Sequence, residues 1–256
     1  MNIVVPIKFV PDPVEDLQID PSSGLLDRSF LRLIPSELDE HALEQALILK
    51  ERHGGTVTVV ACDTGDVDET LFTALARGAD RAVKITGDDF QQGIGSRRMA
   101  AIIHAAISGE PCDLVLTGTQ ALDDMDGFVG ALLAERMGVP YIGYVTKVEI
   151  AGNKAAVRKE YPGGLNAEIE TALPAVLGIQ AAEKPPRYVV TAKVMEAMKS
   201  RRIDEKPGED PGEPFTFPDL RMALPEPARR AEMLDGSPAQ VAQKIVALLR
   251  ERGLVG

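Results

Sequence analysis

Apolar and polar positions along this chain switch between short continuous apolar runs and stripes that repeat every three to four residues, and most elements follow from that switching. Asn2 to Val10 is rich in Val and Ile with little alternation, as a strand buried on both faces should be, and Pro11-Asp12-Pro13 stops it. Val14 to Ile34 shows no period, and Asp20-Pro21 and Ser23-Gly24 mark turns, so it reads as irregular. Ser36 then offers an N-cap with an acid, Asp39, three residues on. The helix it opens carries Ala42, Leu43, Ala46 and Leu47 inward until Gly54-Gly55.

Thr56 to Cys62 reads as the second strand, the stripe through Thr70, Leu71, Ala74 and Leu75 as a helix ending at Gly78, and Arg81 to Ile85 as the third strand. Ile94 to Ser108 is helical, with Met99, Ile102, Ile103 and Ala106 on its apolar side, and it delivers the chain to a strand at Asp113 to Thr117. These strands with crossover helices predict an α/β fold with a doubly wound, mostly parallel sheet. Gly143 to Ile150, Lys154 to Tyr161 and Leu165 to Glu170 are short and alternating, as antiparallel strands are, and Leu173 to Ile179 reads as a last buried strand.

The character changes from Pro185. Val194 to Arg202 reads as a short basic helix or arm, and Asp204 to Pro227, with six prolines, as an extended strap. Ser237-Pro238 caps a last helix with Val241, Ile245, Leu248 and Leu249 on its inward side. The expected organisation is an α/β domain over residues 1–190, followed over 191–256 by a docking loop, a C-terminal arm and a terminal helix. The arm either clasps a partner or folds back over its own sheet.

The stretch DLVLTGTQALDDMDGFVGALLAE, residues 113–135, is a strand, a loop and a helix whose apolar stripe begins at Phe128 and Val129 and continues at Leu132 and Leu133. Ligands of open α/β sheets sit at such junctions, where unpaired N–H groups and the helix dipole favour a phosphate. Gly118, Gly127 and Gly130 permit close approach, and Asp124 and Asp126 are candidate N-caps. Asp123, Asp124 and Asp126 would repel a phosphate unless turned away, so anion binding falls to the main chain. The spacing matches neither a dinucleotide-fold nor a P-loop glycine motif, and an ordinary capped junction has the same grammar.

Composition narrows the function. Lys plus Arg total 28 against 39 Asp plus Glu, a net charge of −11, and there is no Trp. That is not the basic, aromatic surface of a nucleic-acid binder. Two cysteines, Cys62 and Cys112, with no metal-ligand spacing, no signal-peptide pattern and no run long enough for a membrane span suggest a cytoplasmic chain without a metal site. His41, His53 and His104 are far apart, no hydrolase or metalloprotease motif occurs, and Cys62 at a strand end reads as core. The pattern offers a ligand site without a catalytic centre.

Several strings resemble the beta subunit family of electron transfer flavoproteins. Val5-Pro6-Ile7-Lys8-Phe9-Val10-Pro11-Asp12 is similar to the family's opening VKxVPD strand, and Asp39 to Leu47 to its DExAxEEAL helix. Glu69-Thr70 with Ala74 to Arg81 is similar to ETxxxALAxGADR, Gly118 to Asp124 to the TGxQAxDD loop, and Pro186-Arg187-Tyr188 with Met195 and Ala197 to the PRY…MxA segment. The resemblance implies an adenine nucleotide alpha hydrolase-like sheet and a heterodimer with an alpha subunit that holds or shares FAD. It also implies electron transfer from dehydrogenase donors, such as the acyl-CoA dehydrogenases of fatty acid oxidation, to a quinone oxidoreductase acceptor.

The resemblance further implies a second buried nucleotide, AMP, contacted by Pro6, Ser36, Glu37, Leu38, Asp39 and Cys62. The remaining contacts are Gly118, Thr119, Gln120, Ala121, Leu122, Asp123, Asp124, Met125, Asp126, Gly127, Phe128 and Val129. Thr191, Val194, Met195, Met198 and Lys199 fall in the loop by which the family docks onto dehydrogenases. AMP-holding members usually carry Asn-Gln-Thr-Gly where this chain has Gly127-Phe128-Val129-Gly130, and the Val-Gly ending is closer to bifurcating members with a second FAD. A stand-alone adenine-nucleotide regulator or ATP-cleaving protein is the competing class; the loop lacks the lysine it would need.

Overall fold

The computed structural model describes residues 1–29, 31–65, 67–88, 90, 93–124, 126–209, 222–224, 231 and 233–255. Two compact units emerge, a larger one of Met1–Gln18 with Leu26–Asp219 and a smaller one of Ile19–Leu25 with Leu220–Gly256.

The larger unit runs β1 (Asn2–Pro6), β2 (Phe9–Pro11), β3 (Leu33–Pro35), α1 (Glu37–His53), β4 (Thr56–Cys62), α2 (Val67–Arg77), β5 (Arg81–Thr86), α3 (Ser96–Ile107), β6 (Leu114–Gly118) and α4 (Val129–Met137). It continues with β7 (Tyr141–Ala151), β8 (Lys154–Tyr161), β9 (Leu165–Ala172), β10 (Ala175–Ile179), α5 (Thr191–Ser200) and β11 (Asp204–Pro207). The main sheet has the order β11-β5-β4-β1-β6-β10-β7-β8-β9. It is parallel from β11 to β7 and antiparallel across β7, β8 and β9.

Side-chain alternation divides the interior in two. Ile3, Val5, Val57, Val59, Leu114 and Leu116 point to one face and pack with Leu43 and Leu47 of α1 and Leu71 of α2. Val4, Val60, Val83, Val115 and Val176 point to the other, against Met99, Ile102 and Ile103 of α3 and Leu133 of α4. Each fully buried Leu or Ile contributes about 1.5–3 kcal/mol, so the two faces together anchor the sheet. The doubly wound, mostly parallel fold expected from the periodicity is therefore present.

Several local expectations are corrected. The first strand does not run through to Val10: it leaves the main sheet after Pro6, and Phe9–Pro11 instead pairs antiparallel with Leu33–Pro35 in a separate two-stranded sheet. The Val14 to Ile34 segment thus ends in a strand, where irregular chain was expected. Phe128 is 56% exposed and stands at the N-cap of α4, outside its buried stripe. The strap begins as β11, paired parallel to the edge of β5; most of its remainder lies outside the described residues.

In the smaller unit, α6 (Pro238–Glu251) begins with a capping box in which Ser237 Oγ accepts from Gln240 N–H and Gln240 Oε1 accepts from Ser237 N–H. Of the expected inward stripe, Val241 and Leu249 are half-buried. No residue of α6 is buried, and Ile245, Val246 and Leu248 are each about two-fifths exposed.

Candidate functional site

Strand order reverses at β1, because the chain moves from β1 to β4 and β5 on one side and then places β6 on the other. Crevices at the carboxyl ends of strands at such a switch point are where α/β sheets hold ligands. Here the crevice is a cleft whose lining includes Pro6, Ile7 and Lys8 after β1, Val60 and Cys62 of β4, Met99 and Ile103 of α3, and Thr117 to Ala121 after β6. Asp39, Asp124, Gly127 and Val129 complete it, and its free volume is about 30 Å³.

Asp39 holds the crevice together. Its side chain does not act as a capping-box acid; Ser36 is the N-cap of α1 but makes no side-chain cap bond. Asp39 turns to the sheet instead, Oδ2 accepting from Lys8 N–H at 2.9 Å and Oδ1 from Gly118 N–H at 2.7 Å. One carboxylate thus bridges the segment after β1 and the end of β6, consuming the two strand-end donors nearest the cleft. Burial pushes the Asp39 pKa up to about 6, against the downward pull of those two bonds. Glycine is required at position 118, since a Cβ there would lie 2.8 Å from both Asp39 Oδ1 and Leu38 Cβ.

The acidic loop resolves its own repulsion. Lys8 Nζ lies 2.6 Å from Asp123 and 3.3 Å from Asp124, and Arg28 lies 3.8 Å from Asp123. Asp124 also accepts from Ala121 N–H and Gly127 N–H, and Asp126 from Ser96 Oγ and Phe128 N–H. Asp124 and Asp126 therefore shape the loop rather than cap α4, whose N-cap is Phe128 with no side-chain cap bond. Near the floor, Cys62 Sγ contacts Met99 Sδ at 3.5 Å, and burial pushes the Cys62 thiol up to about 12. A thiol so protonated at neutral pH is no nucleophile.

The cleft gathers Pro6, Asp39, Cys62, Gly118, Thr119, Gln120, Ala121, Asp124, Gly127 and Val129 from the sequence-based set. Ser36, Glu37, Leu38, Leu122, Asp123, Asp126 and Phe128 do not line it, and Met125 lies outside the described residues. Ile7, Lys8, Val60, Met99, Ile103 and Thr117 line it without having been expected. Met99 and Ile103, four apart on one helix face, look like core in any sequence, and Lys8 meets the acidic loop only through the fold, 116 residues from Asp124. Elsewhere, Thr191, Met195, Met198 and Lys199 are exposed on α5, Val194 is half-buried, and Ala197 packs into the core. Among the described residues no cluster of His, Cys, Asp or Glu could hold a metal ion, and no helix is long and apolar enough to cross a membrane.

Gly130 in the first turn of α4 is as constrained as Gly118. A Cβ there would come within 2.7 Å of Thr117 Oγ1 and 2.8 Å of the Tyr141 ring. Gly130→Ala is expected to destabilise the protein by about 1–2 kcal/mol, because overpacking of about 1–3 kcal/mol outweighs a helix-propensity gain of about 1. Urea unfolding checks this, and an unchanged midpoint would mean that α4 shifts without penalty.

A family profile described as the electron transfer flavoprotein domain matches residues 26–208. The chain is 31% identical to the electron transfer flavoprotein subunit beta of Bacillus subtilis over the full length of both. It is 37% identical to the subunit of that name from Clostridium acetobutylicum over 77% of this chain and 75% of that one. With the Methylophilus methylotrophus subunit it shares 31% identity over 98% of each. Matches of this extent, on a doubly wound sheet with its cleft at the switch point, place this chain in the electron transfer flavoprotein beta subunit family.

Proposed function

We propose that the chain is the beta subunit of a heterodimer in which an alpha subunit holds FAD, and that the β1/β4/β6 cleft binds one AMP. The observation that carries the AMP reading is the division of labour in the cleft. Pro6, Ile7, Val60, Met99 and Ile103 offer an apolar surface suited to a flat base, and the first turn of α4 offers backbone donors to a phosphate. Asp123 and Asp124, offset by Lys8 and Arg28, repel an anion in that corner less than the bare sequence suggests. Small-molecule pockets run to about 300–1,000 Å³, so the cleft must widen to admit the nucleotide.

The bound AMP stabilises the fold by mass action. FAD on the alpha subunit supplies one-electron transfer between a dehydrogenase donor, such as an acyl-CoA dehydrogenase, and a quinone-linked acceptor. The exposed Met195 and Met198 of α5 suit docking to the donor, and the amphipathic α6 suits clasping the alpha subunit. The proposed compartment is the cytoplasm.

The test is to co-express the chain with an alpha subunit, denature the purified complex, and identify the released nucleotides by chromatography and mass. One FAD and one AMP per complex is the expected result. Two FAD would replace this reading with a bifurcating, two-flavin complex. A chain that purifies alone and cleaves ATP would overturn the electron-carrier reading altogether.

A further inference from the structure

Thr117 is the last residue but one of β6, and its side chain is on the face where Val4, Val60, Val115 and Val176 pack against α3 and α4. It is 3% exposed, yet Oγ1 has no hydrogen-bond partner. A buried unpaired hydroxyl is unfavourable, and valine has the same shape and would suit this apolar layer. Packing therefore does not account for the hydroxyl.

Its position does. Thr117 lines the cleft, and Oγ1 sits against Gly130, at 2.7 Å from where a Cβ would be. In α4 the Leu132 N–H bonds to the Phe128 C=O at 2.9 Å, which leaves the N–H groups of Val129, Gly130 and Ala131 without an intrahelical acceptor. The strand-end donors of Lys8 and Gly118 are already taken by Asp39. Among the described residues, the hydroxyl and the start of α4 are thus neutral donors left open in this corner, and the helix dipole there favours negative charge.

We propose that Thr117 is a nucleotide-binding residue, its hydroxyl donating to a phosphate oxygen held at the start of α4. This rests on the reading of the cleft as an adenine-nucleotide site and adds to it a side-chain contact that selects for the phosphate. Glycine at 130 is then needed so that hydroxyl and backbone converge on the same oxygen.

The test uses the full chain in its heterodimer, depleted of nucleotide by dialysis, with AMP and adenosine as probes in calorimetric titration. Thr117→Val is expected to weaken AMP binding by about 10- to 100-fold, the range for a lost hydrogen bond to a charged group, while adenosine affinity stays within about twofold. Thr117→Ser should retain AMP. Without nucleotide, the valine variant should melt at the same temperature as the parent or higher, because an unpaired polar atom has been removed from an apolar layer. Equal AMP affinity in Thr117→Val and the parent overturns the proposal, as does an equal loss of AMP and adenosine, which would indicate altered packing. A parent that binds neither probe overturns the nucleotide reading of the cleft together with this inference.

Discussion

Glu44→Ala is expected to destabilise the protein by about 2–4 kcal/mol and to release the segment that leads into α5. Glu44 is 4% exposed on α1, and its carboxylate accepts from Arg187 Nε, Arg187 Nη2 at 2.8 Å and Arg187 N–H at 3.0 Å. Removing one member of a buried pair costs about 3–5 kcal/mol. The Arg187 side chain is 32% exposed and keeps Glu51, which tempers the loss. Glu44→Gln, which can still accept from Arg187 N–H, should lose less.

Neighbouring bonds make the effect directional. His41 accepts from Ala182 N–H, Gln45 bonds to Glu183 on both main and side chain, and Arg52 pairs with Glu183. Together with Glu44 they lay residues 182–187 along one face of α1. The variant should therefore be cut faster by limited proteolysis near residue 188, ahead of the exposed docking helix, while the sheet stays protected. Urea unfolding and peptide mapping read both effects. A variant as stable and as resistant as the parent would show that the ion pair is dispensable.

The second large effect is on pH dependence. The Asp39 pKa lies at about 6 in the fold, mainly through burial, against 3.8 for the unperturbed group. Between those values the folded chain binds the extra proton, so this residue's contribution to stability is greatest at low pH and is lost as pH rises through about 6. The two values correspond to about 2–3 kcal/mol in all, of which about 1.5 falls between pH 5 and 7.5. Asp39→Asn cannot ionise, and its stability should fall less over pH 5 to 7.5 by that amount. Parallel stability curves for parent and variant would show that Asp39 does not titrate in this range.

Asp39 also shows where sequence pattern stops being informative. Its place three residues after Ser36 matches a capping box, and nothing local distinguishes that use from the one adopted. The outcome turned on Lys8 and Gly118, whose N–H groups the sheet brings together from distant parts of the chain. The acidic loop misled in the same way, because the repulsion expected from Asp123 and Asp124 is offset once the fold brings Lys8 and Arg28 beside them. On α6 the stripe of Val241, Ile245, Leu248 and Leu249 signals an apolar face, but periodicity does not say what that face packs against.

By itself the sequence determined the alternation of strands and helices, the two-faced burial of the sheet, and the loop after Thr117 as a part of the switch-point cleft. Those follow from hydrophobic period and from Gly, Pro and Asp at element ends, all of which act over a few residues. The tertiary structure alone decided which side chains meet: Asp39 with Gly118, Lys8 with Asp124, Glu44 with Arg187, and Thr117 with the backbone at Gly130. The first three pairs are separated by 79, 116 and 143 residues. Contacts at such separations depend on strand order and register, which no local period encodes.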